Sequence, residues 1–412
     1  FHFGGSAGNR CYAFGPLPIL RDTAPMNKAG KAIVTVGLLA IFGAAAYFSV
    51  YQTGRQPAPD TATTNVLSGL AGKLTGAVPV EEITGLIALD VEPYFQDPRV
   101  QKALASNGFK LNVQRIGSRD MAARVIPGQT PDFFYSSGVV AANQIGDAAK
   151  KVNIATTVYS PIYTPMVIAS WAPIAQILAA NGMATEASPG VWRAGVVKWT
   201  RLMLGIERCG VLKGASAYEV YKSVLVSTTD VRKSNSAAMY LALTTFAVNG
   251  GEVVTDRDTA QKSAKAVTGL FKRQGYQENY VNGNFDDYVS IGIGKTPMAF
   301  IYENQIVSYA MAKKGLSPGM VLVYPQPTLF NKVVFVATNA RARKLGELLS
   351  TNTELQQLAV DFGFRISDSA YFAQAAKATN LAVDERLTQV IDPPSFDMMA
   401  EMIDVITREM AQ

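Results

Sequence analysis

Apolar runs of strand length alternate with helical patterns through residues 83–151. The run Leu86–Leu89 predicts a buried strand, and residues 97–109 (DPRVQKALASNGF) predict a helix with an Asp cap and an Asn-Gly stop. A second strand, a turn and a short helix are predicted in residues 110–125, and a third strand with its helix in residues 132–151. Strands that alternate with helices at this spacing indicate a parallel sheet in an open α/β lobe.

Polar groups stand where each of these three predicted strands ends. Asp90 follows the first strand, Ser118 and Arg119 occupy the turn after the second, and Ser136 and Ser137 end the third. Because ligands collect at the carboxyl ends of the strands in open α/β sheets, we expect these groups to share one rim. Each one alone is more typical of a cap or a turn residue. Three on one rim favour a binding site.

A second polar rim is predicted in the stretch STTDVRKSNSAAMYLALTTFAVNGG at residues 227–251. Ser234, Asn235 and Ser236 stand where a helix should begin, and Asn249 with two glycines supplies its stop. The amide groups and the positive end of the helix dipole would favour an anion or a polar head group there. The alternative interpretation is an ordinary N-cap that binds nothing.

The middle of the chain predicts a second α/β unit. Thr164–Trp171 is an apolar strand, a longer helical region follows through Trp192, and residues 290–315 give a turn, a strand and a helix. Gly294–Thr296 (GKT) resembles the end of a phosphate-binding loop, but Val289 stands where that loop requires glycine and the GKT precedes a strand. We therefore exclude a nucleotide site.

The C-terminal part predicts two β segments in residues 320–338 and then three helices. The helices are expected at residues 341–349, 353–361 and 395–410. Since no further strands accompany these helices, we expect them to pack against the first lobe.

The N-terminal part predicts a membrane segment. Residues 1–25 begin with Phe and show no periodicity, so Met26 is the better natural start. Residues 32–51 (AIVTVGLLAIFGAAAYFSVY) carry no charge and are long enough to cross a bilayer. Lys28 and Lys31 precede this segment, which places residues 1–31 in the cytoplasm and the remainder outside, in the periplasm.

This segment could be an anchor or a cleaved signal peptide. Ala44–Ala46 would satisfy a small-residue cleavage rule, but the apolar run continues through Tyr47 and Phe48 and is longer than a signal core. We interpret it as an uncleaved single-pass anchor in the inner membrane. Residues 52–80, rich in Pro, Gly, Thr and Ala, are expected to be a flexible linker.

The composition argues against several classes of function. Charged residues make up 17% of the chain, and the net charge of +6 includes no run of five like charges, so nucleic acid is not expected as a partner. The single histidine, His2, and the two cysteines, Cys11 and Cys209, exclude a Ser-His-Asp triad in the body of the protein and a His- or Cys-rich metal site. No cofactor is expected, and a disulfide is not expected between cysteines on opposite sides of a membrane.

Residues 83–410 resemble the type 2 periplasmic solute-binding proteins, especially the branch that includes sulfate-, molybdate- and phosphate-binding proteins. The resemblance covers nearly all of the chain outside the tether. It rests on the order of the following segments: FQDPRVQKAL with the GSR turn, FFYSSGVVAANQI, SPIYTPMVIASW, TTDVRKSNSAAMYLAL, TPMAFIYENQ and VLVYPQPTLFNKVVFVAT.

The resemblance implies an α/β fold of two Rossmann-like lobes joined by two crossing strands, after one N-terminal transmembrane helix. The first lobe would comprise residues 81–165 and 331–412, and the second residues 166–330. Thr164–Trp171 and Phe330–Ala337 would be the crossing strands.

The resemblance also implies a ligand site in the cleft between the lobes. Ser136 and Ser137 match the donors of the first lobe, residues 234–236 match those at the helix start of the second, and Tyr302 and Glu303 match the strand end that completes the cleft. The implied function is capture of a small, anionic ligand by hinge closure, for delivery to an ABC-type importer, with no catalysis. Two alternatives stay open: a membrane-anchored sensor or assembly component, and a serine hydrolase that uses Ser136 or Ser137 with a lysine base.

Overall fold

The structure is a computed structural model that describes residues 80–205, 212–218, 226–274, 283–312 and 316–411. The chain divides into two units, residues 1–77 and 78–412, of which the first lies outside the described residues. The predicted membrane segment and nearly all of the predicted linker therefore lie outside them too. Among the helices that the structure does describe, none combines the length and the hydrophobicity needed to span a bilayer.

The described residues form helices and strands in two consecutive parts of the chain. The first part consists of β1 (Glu81–Ile87), α1 (Glu92–Gln96), α2 (Pro98–Ser106), β2 (Phe109–Arg115), β3 (Phe133–Ser137), α3 (Val139–Lys151), β4 (Thr157–Trp171), α4 (Ala172–Ala180), β5 (Thr185–Ser188), β6 (Val191–Gly195) and α5 (Val196–Gly205). The second part consists of α6 (Asn235–Val248), α7 (Arg257–Lys272), α8 (Gly283–Ser290), β7 (Met298–Tyr302), α9 (Glu303–Met311), β8 (Met320–Gln326), β9 (Thr328–Ala337), α10 (Ala340–Thr351), α11 (Thr353–Asp361), α12 (Ser369–Lys377), β10 (Val390–Ile391) and α13 (Phe396–Met410).

The strands form two connected sheets that share β4. In sheet 1, β2, β1 and β3 are parallel, and β9 pairs antiparallel with β3 and with the first part of β4, as far as Pro165. In sheet 2, β4 from Met166 onward pairs antiparallel with β7 and β8, and β6 continues the sheet parallel to β8. The parallel order predicted for β1 to β3 is confirmed, but the sheet as a whole is mixed.

The chain passes between the sheets along β4 and again between β8 and β9. The second passage follows the cis peptide bond between Gln326 and Pro327, and the Thr328 hydroxyl donates a hydrogen bond to the carbonyl of Met166, 2.7 Å away. The boundary between sheet 1 and sheet 2 therefore falls at the same level on β4, at Met166, and on β9, at Thr328. Groups at the strand ends of the two sheets are brought close to this point.

Helix α6 is the most enclosed helix of the second part. Every residue from Ser236 to Ala247 is buried, and the helix packs against α5, α7 and β7. A helix that is apolar on all sides must be covered on all sides. The position and direction of its N-terminus are accordingly fixed by packing.

The sequence interpretation is corrected at Trp192. Trp192 lies in β6 and not in a helix, because Val191, Trp192 and Ala194 are buried in the sheet beside β8. Helices α10 and α11 pack on sheet 1 and its helices as predicted, through contacts such as that between Arg99 and Asp361.

The third predicted C-terminal helix does not follow them. Helix α13 packs against α7 and α6, with Met399, Met402 and Val405 buried at helical spacing. At its edge the Arg257 guanidinium pairs with Glu401 at 2.7 Å. The prediction that all three helices pack against the first lobe is therefore wrong for α13, since its apolar stripe is complementary to α7.

Candidate functional site

Asp90, Ser137 and Asn331 form a hydrogen-bonded group at the end of sheet 1. Asp90 lies in the 3₁₀ turn that follows β1, Ser137 is the last residue of β3, and Asn331 belongs to β9. The Ser137 hydroxyl donates to Asp90 Oδ2 at 2.9 Å, and Asn331 Nδ2 donates to Ser137 Oγ at 2.8 Å and, less closely, to Asp90 Oδ2 at 3.4 Å. Asn331 is only 1% exposed.

Asn235 and Tyr302 meet this group from the other side. Asn235 is the first residue of α6, and its Nδ2 donates to the phenol of Tyr302, the last residue of β7, at 3.0 Å. Burial is the main reason that the pKa of the Tyr302 phenol is raised, and the Asp90 carboxylate raises it further. Hydrogen bonds with Asn235 and Ser137 and the charge of Arg119 lower that pKa. Tyr302 therefore interacts with polar groups from both sheets.

We call Asp90, Ser137, Asn235, Tyr302 and Asn331 the intersheet cluster. Two of its oxygen atoms, Asp90 Oδ1 and Asn331 Oδ1, are buried and have no hydrogen-bond partner among the residues that the structure describes. Burial is the dominant cause that raises the pKa of Asp90, and hydrogen bonds from Ser137 and Asn331 partly offset it. Buried polar atoms are normally paired, so these two oxygens represent unused acceptor capacity at this place.

Gly138 brings the backbone close to the intersheet cluster. Its φ of 92° lies in the region that favours glycine. A methyl group at this position would lie 3.5 Å from Asn331 Oδ1 and 3.7 Å from Asn235 Nδ2. The side of Gly138 where a Cβ would stand therefore faces the side-chain amides of Asn331 and Asn235, one from each side of the cluster.

Ser118 and Arg119 lie beside the cluster, as the sequence predicted. Ser118 Oγ accepts a hydrogen bond from the backbone amide of Ser137 at 2.9 Å, which fixes the end of β3. Arg119 Nη1 donates to the carbonyl of Arg232 at 3.3 Å, so it reaches from sheet 1 to the turn before α6. Arg119 is exposed and forms no salt bridge with any residue of the described ranges.

Ser136 does not join its neighbour in the cluster. It is fully buried, and its hydroxyl donates weakly, at 3.4 Å, to the carbonyl of Val334 on the adjoining strand. Successive side chains of a strand point to opposite faces, so Ser136 and Ser137 cannot both line one side of the sheet. The expectation that the two serines act as a pair is therefore corrected in favour of Ser137.

Ser234 and Ser236 form a closed hydroxyl group with Thr229. The Thr229 hydroxyl lies 2.6 Å from Ser234 Oγ and 3.0 Å from Ser236 Oγ, and the two serine oxygens are 2.9 Å apart. All three side chains are buried. Their hydroxyls bind one another, and Ser234 makes no side-chain cap to α6. Of the three predicted donors, Asn235 alone joins the cluster by its side chain.

Glu303 also lies apart from the cluster, although it follows Tyr302 directly. Its carboxylate is fully buried and receives two hydrogen bonds from Arg365, at 2.6 and 2.7 Å, and a third from the phenol of Tyr324 at 2.6 Å. Arg365 in turn donates to the carbonyl of Asp384 at 2.6 Å. Both carboxylate oxygens are thus occupied by the protein itself.

The sequence interpretation missed Asn331 and Gly138. Asn331 stands with Lys332 near the start of the run FNKVVFVA, and an amide side chain in a predicted buried strand was the signal that could have identified it. Gly138 directly follows the predicted serine pair. Glycine at the junction of a strand and a helix is typical of a close backbone approach.

Among the described residues there is no metal-binding group, and a pocket lies away from the intersheet cluster. No group of three or more His, Cys, Asp or Glu side chains there could hold a metal ion. A pocket of about 490 Å³ lies at the far edge of sheet 1, lined by residues that include Glu81, Phe109 and Lys344. It contains none of the residues that the sequence predicts as a site.

The chain is similar in fold to several solved structures at low identity. The sulfate-binding protein SubI from Mycobacterium tuberculosis is 15% identical, with a TM-score of 0.44, over 78% of this chain and 95% of that one. The cyclic α-maltosyl-1,6-maltose binding protein from Arthrobacter globiformis is 10% identical, with a TM-score of 0.49, over 81% and 94%. Trichodesmium IdiA (FutA), solved with iron and citrate, is 10% identical, with a TM-score of 0.47, over 80% and 99%.

No family model matches the chain, and no curated protein matches it either. At these identities and TM-scores the solved structures assign neither a family nor a ligand to the chain.

Proposed function

We propose that the protein is an extracytoplasmic solute-binding protein that captures a small ligand between two lobes by hinge closure. The observation that carries the proposal is the intersheet cluster, in which Ser137 and Asp90 from sheet 1 meet Asn235 and Tyr302 from the other side. A ligand that contacts both sides stabilises the closed state by its differential affinity for that state. The order of the segments, from FQDPRVQKAL to the paired β8 and β9, supports the same function.

We assign the two lobes according to the two sheets. The first lobe consists of sheet 1 with α10 and α11, and the second of sheet 2 with α6 and α7. The segment after α11 belongs with the second lobe, because Arg365 pairs with Glu303, Asp384 pairs with Arg193 on β6, and α13 packs against α7. The hinges are β4 near Pro165 and the connection at Pro327.

The ligand carries an acidic group. The N-terminus of α6 has no cap from the Ser234 side chain, so its first amide groups and its dipole favour an anion. Arg119, which reaches toward the turn before α6, supplies a positive charge with no carboxylate bound to it among the described residues. This combination supports the anionic character expected from the sequence.

The most direct test is a binding screen on the purified protein. Thermal stability is measured with a panel of oxyanions, sugars, amino acids and organic acids, in the wild type and in Ser137→Ala. A ligand that raises the melting temperature of the wild type and has a weaker effect in the variant supports the proposal. A panel with no effect on the wild type would contradict small-molecule capture.

We further propose that the domain is held at the outer face of the inner membrane by residues 32–51 and serves an ABC-type importer. The uncharged segment and the lysines before it support this topology. Neighbouring genes for a permease and an ATPase would support import. The same tether favours a second candidate, a membrane-anchored sensor or assembly component, which predicts other neighbours and a domain that binds a partner protein after capturing its ligand.

A further inference from the structure

The buried atoms of the intersheet cluster that are open to a ligand are hydrogen-bond acceptors. Asp90 Oδ2 already accepts from Ser137 Oγ and Asn331 Nδ2, and Asn331 Nδ2 also donates to Ser137 Oγ. The atoms that remain without a partner among the described residues are the oxygens Asp90 Oδ1 and Asn331 Oδ1. A carboxylate or side-chain amide oxygen can only accept, so a guest group at this place has to donate.

The Asp90 carboxylate is negatively charged when ionised, as an oxyanion is. Among the described residues, the phenols of Tyr135 and Tyr302 interact electrostatically with Asp90, and burial raises the pKa of each phenol, so both stay neutral. The Arg119 guanidinium acts on Tyr302 from the exposed side. A bare oxyanion next to Asp90 would meet a carboxylate with no bound cation, and like charges at short distance disfavour ionisation of both.

The exposed part of the same site, near Arg119, favours a ligand group of negative charge. The N-terminus of α6 and the Arg119 guanidinium both favour an anionic group, and the side chain of Asn235 joins this outer part to Tyr302. Donors outside and acceptors inside fit one molecule that has an acid at one end and an amine at the other.

We infer that the ligand is a small zwitterion of amino-acid type, whose ammonium group donates to Asp90 Oδ1 and Asn331 Oδ1 and whose acid group faces Arg119 and the N-terminus of α6. This inference rests on the proposed function. Asp90 is then the residue that determines specificity for an amine. An ammonium group with three donors satisfies both unpaired oxygens at once and neutralises the buried carboxylate.

The test is isothermal calorimetry with three kinds of probe: the 20 standard L-amino acids, sulfate as an anion without an amine, and ethylammonium as an amine without an acid. We expect an amino acid to bind the wild type and to bind Asp90→Asn about ten- to a hundredfold more weakly. Asp147→Asn, which removes an exposed carboxylate of α3, is the matched control and leaves the affinity unchanged. Sulfate and ethylammonium bind more weakly than the amino acid.

The pH dependence of the wild type gives an independent measurement if Asp90→Asn fails to fold. An ammonium group needs Asp90 ionised, so affinity falls as the pH drops through the pKa of Asp90. An oxyanion would show the opposite trend, because protonation of Asp90 removes a like charge.

The outcomes separate the inference from the proposed function. Tight binding of sulfate that strengthens in Asp90→Asn or at low pH overturns the zwitterion and leaves solute capture intact. No binding of any of these probes by the wild type overturns the zwitterion, whereas the proposed function is overturned only if the wider thermal-stability panel, with its sugars and organic acids, also has no effect.

Discussion

Two carboxylates, the fully buried Glu303 and the partly buried Asp90, lie in adjoining parts of the molecule and have opposite hydrogen-bonding environments. Glu303 is bound at both oxygens by Arg365 and by the phenol of Tyr324. Asp90 is bound at one oxygen by neutral donors, has no hydrogen bond at the other among the described residues, and has a raised pKa caused mainly by burial. Tyr302 and Glu303 are adjacent in the chain, but Tyr302 lies beside Asp90 whereas Glu303 pairs with Arg365.

The difference separates groups that hold the fold from groups that are available to a ligand. Burial of a charge is costly unless it is paired and hydrogen-bonded, and the Glu303 network meets that condition entirely within the chain. The Asp90 region leaves acceptor atoms unpaired, which costs stability in the protein alone and is typical of functional sites. The hydrogen-bond partners of a carboxylate beside a predicted cleft therefore indicate whether it stabilises the fold or is available to a ligand.

Removal of Arg365 is expected to have the largest effect. Arg365→Met leaves Glu303 buried without a cation and should lower the free energy of unfolding by about 3–5 kcal/mol in urea denaturation. The control is Arg257→Met: the side chain of Arg257 is 73% exposed, and its ion pair with Glu401 should contribute about 0–1 kcal/mol. Equal losses in the two variants would show that the Glu303 network is not a buried structural pair.

Gly363 tests the packing next to Glu303. Its φ is 77°, and a methyl group there would lie 2.3 Å from the carbonyl oxygen of Asn304. We expect Gly363→Ala to cost about 2–4 kcal/mol of unfolding free energy, from backbone strain and overpacking together. Gly250→Ala shares the positive φ of 75° but meets no atom within 4 Å, so it should cost about 1 kcal/mol. A similar loss at both positions would contradict the close approach at Asn304.

Ser137 and Ser136 test the intersheet cluster through ligand affinity. Ser137→Ala removes a donor to Asp90 and should weaken binding of the ligand found in the thermal screen by about 1–3 kcal/mol. Ser136→Ala should leave that affinity unchanged, because Ser136 faces the other side of the sheet and its hydroxyl contacts Val334. Calorimetric titration of both variants decides the matter. A larger loss in Ser136→Ala would place the cleft on the opposite face.

Asp90 should also affect stability through pH. Because its pKa is raised in the folded protein, its favourable contribution is complete below the unfolded pKa and is lost as the pH rises through the folded pKa. The wild type should therefore lose stability relative to Asp90→Asn as the pH rises from the unfolded pKa of about 4 through the raised pKa of the folded protein. Asp97, whose pKa is lowered mainly by the hydrogen bond from Arg99, should give the opposite trend in Asp97→Asn. Urea denaturation at a series of pH values measures both, and parallel trends would contradict the raised pKa of Asp90.

Much of the local structure follows from short-range patterns. Asp97 caps α2 as predicted, by accepting from the amide of Arg99, and α6 begins directly after Ser234. The strand and helix predicted in residues 290–315 appear as β7 and α9. These features depend on residues within a few positions of one another, where side-chain spacing and capping chemistry act directly.

The partners of the polar side chains could not be predicted in the same way. Glu303 and Arg365 are 62 positions apart, and Asn331 meets Asp90 across 241 positions. Nothing in the spacing of Ser234 and Ser236 shows that Thr229 would close a hydroxyl group with them. Such contacts depend on how sheets and helices pack, which a linear pattern does not specify.

The amino-acid sequence by itself determined much of the local structure, such as the cap of α2, the start of α6 and the polar groups after β1 and at the end of β3, because those properties depend on hydrophobic period and local capping. Only the tertiary structure decided which of these groups face one another. The face to which Ser137 points, the pairing of Glu303 with a distant arginine, and the two unpaired oxygens beside Gly138 are set by strand register and by packing between elements distant in the chain.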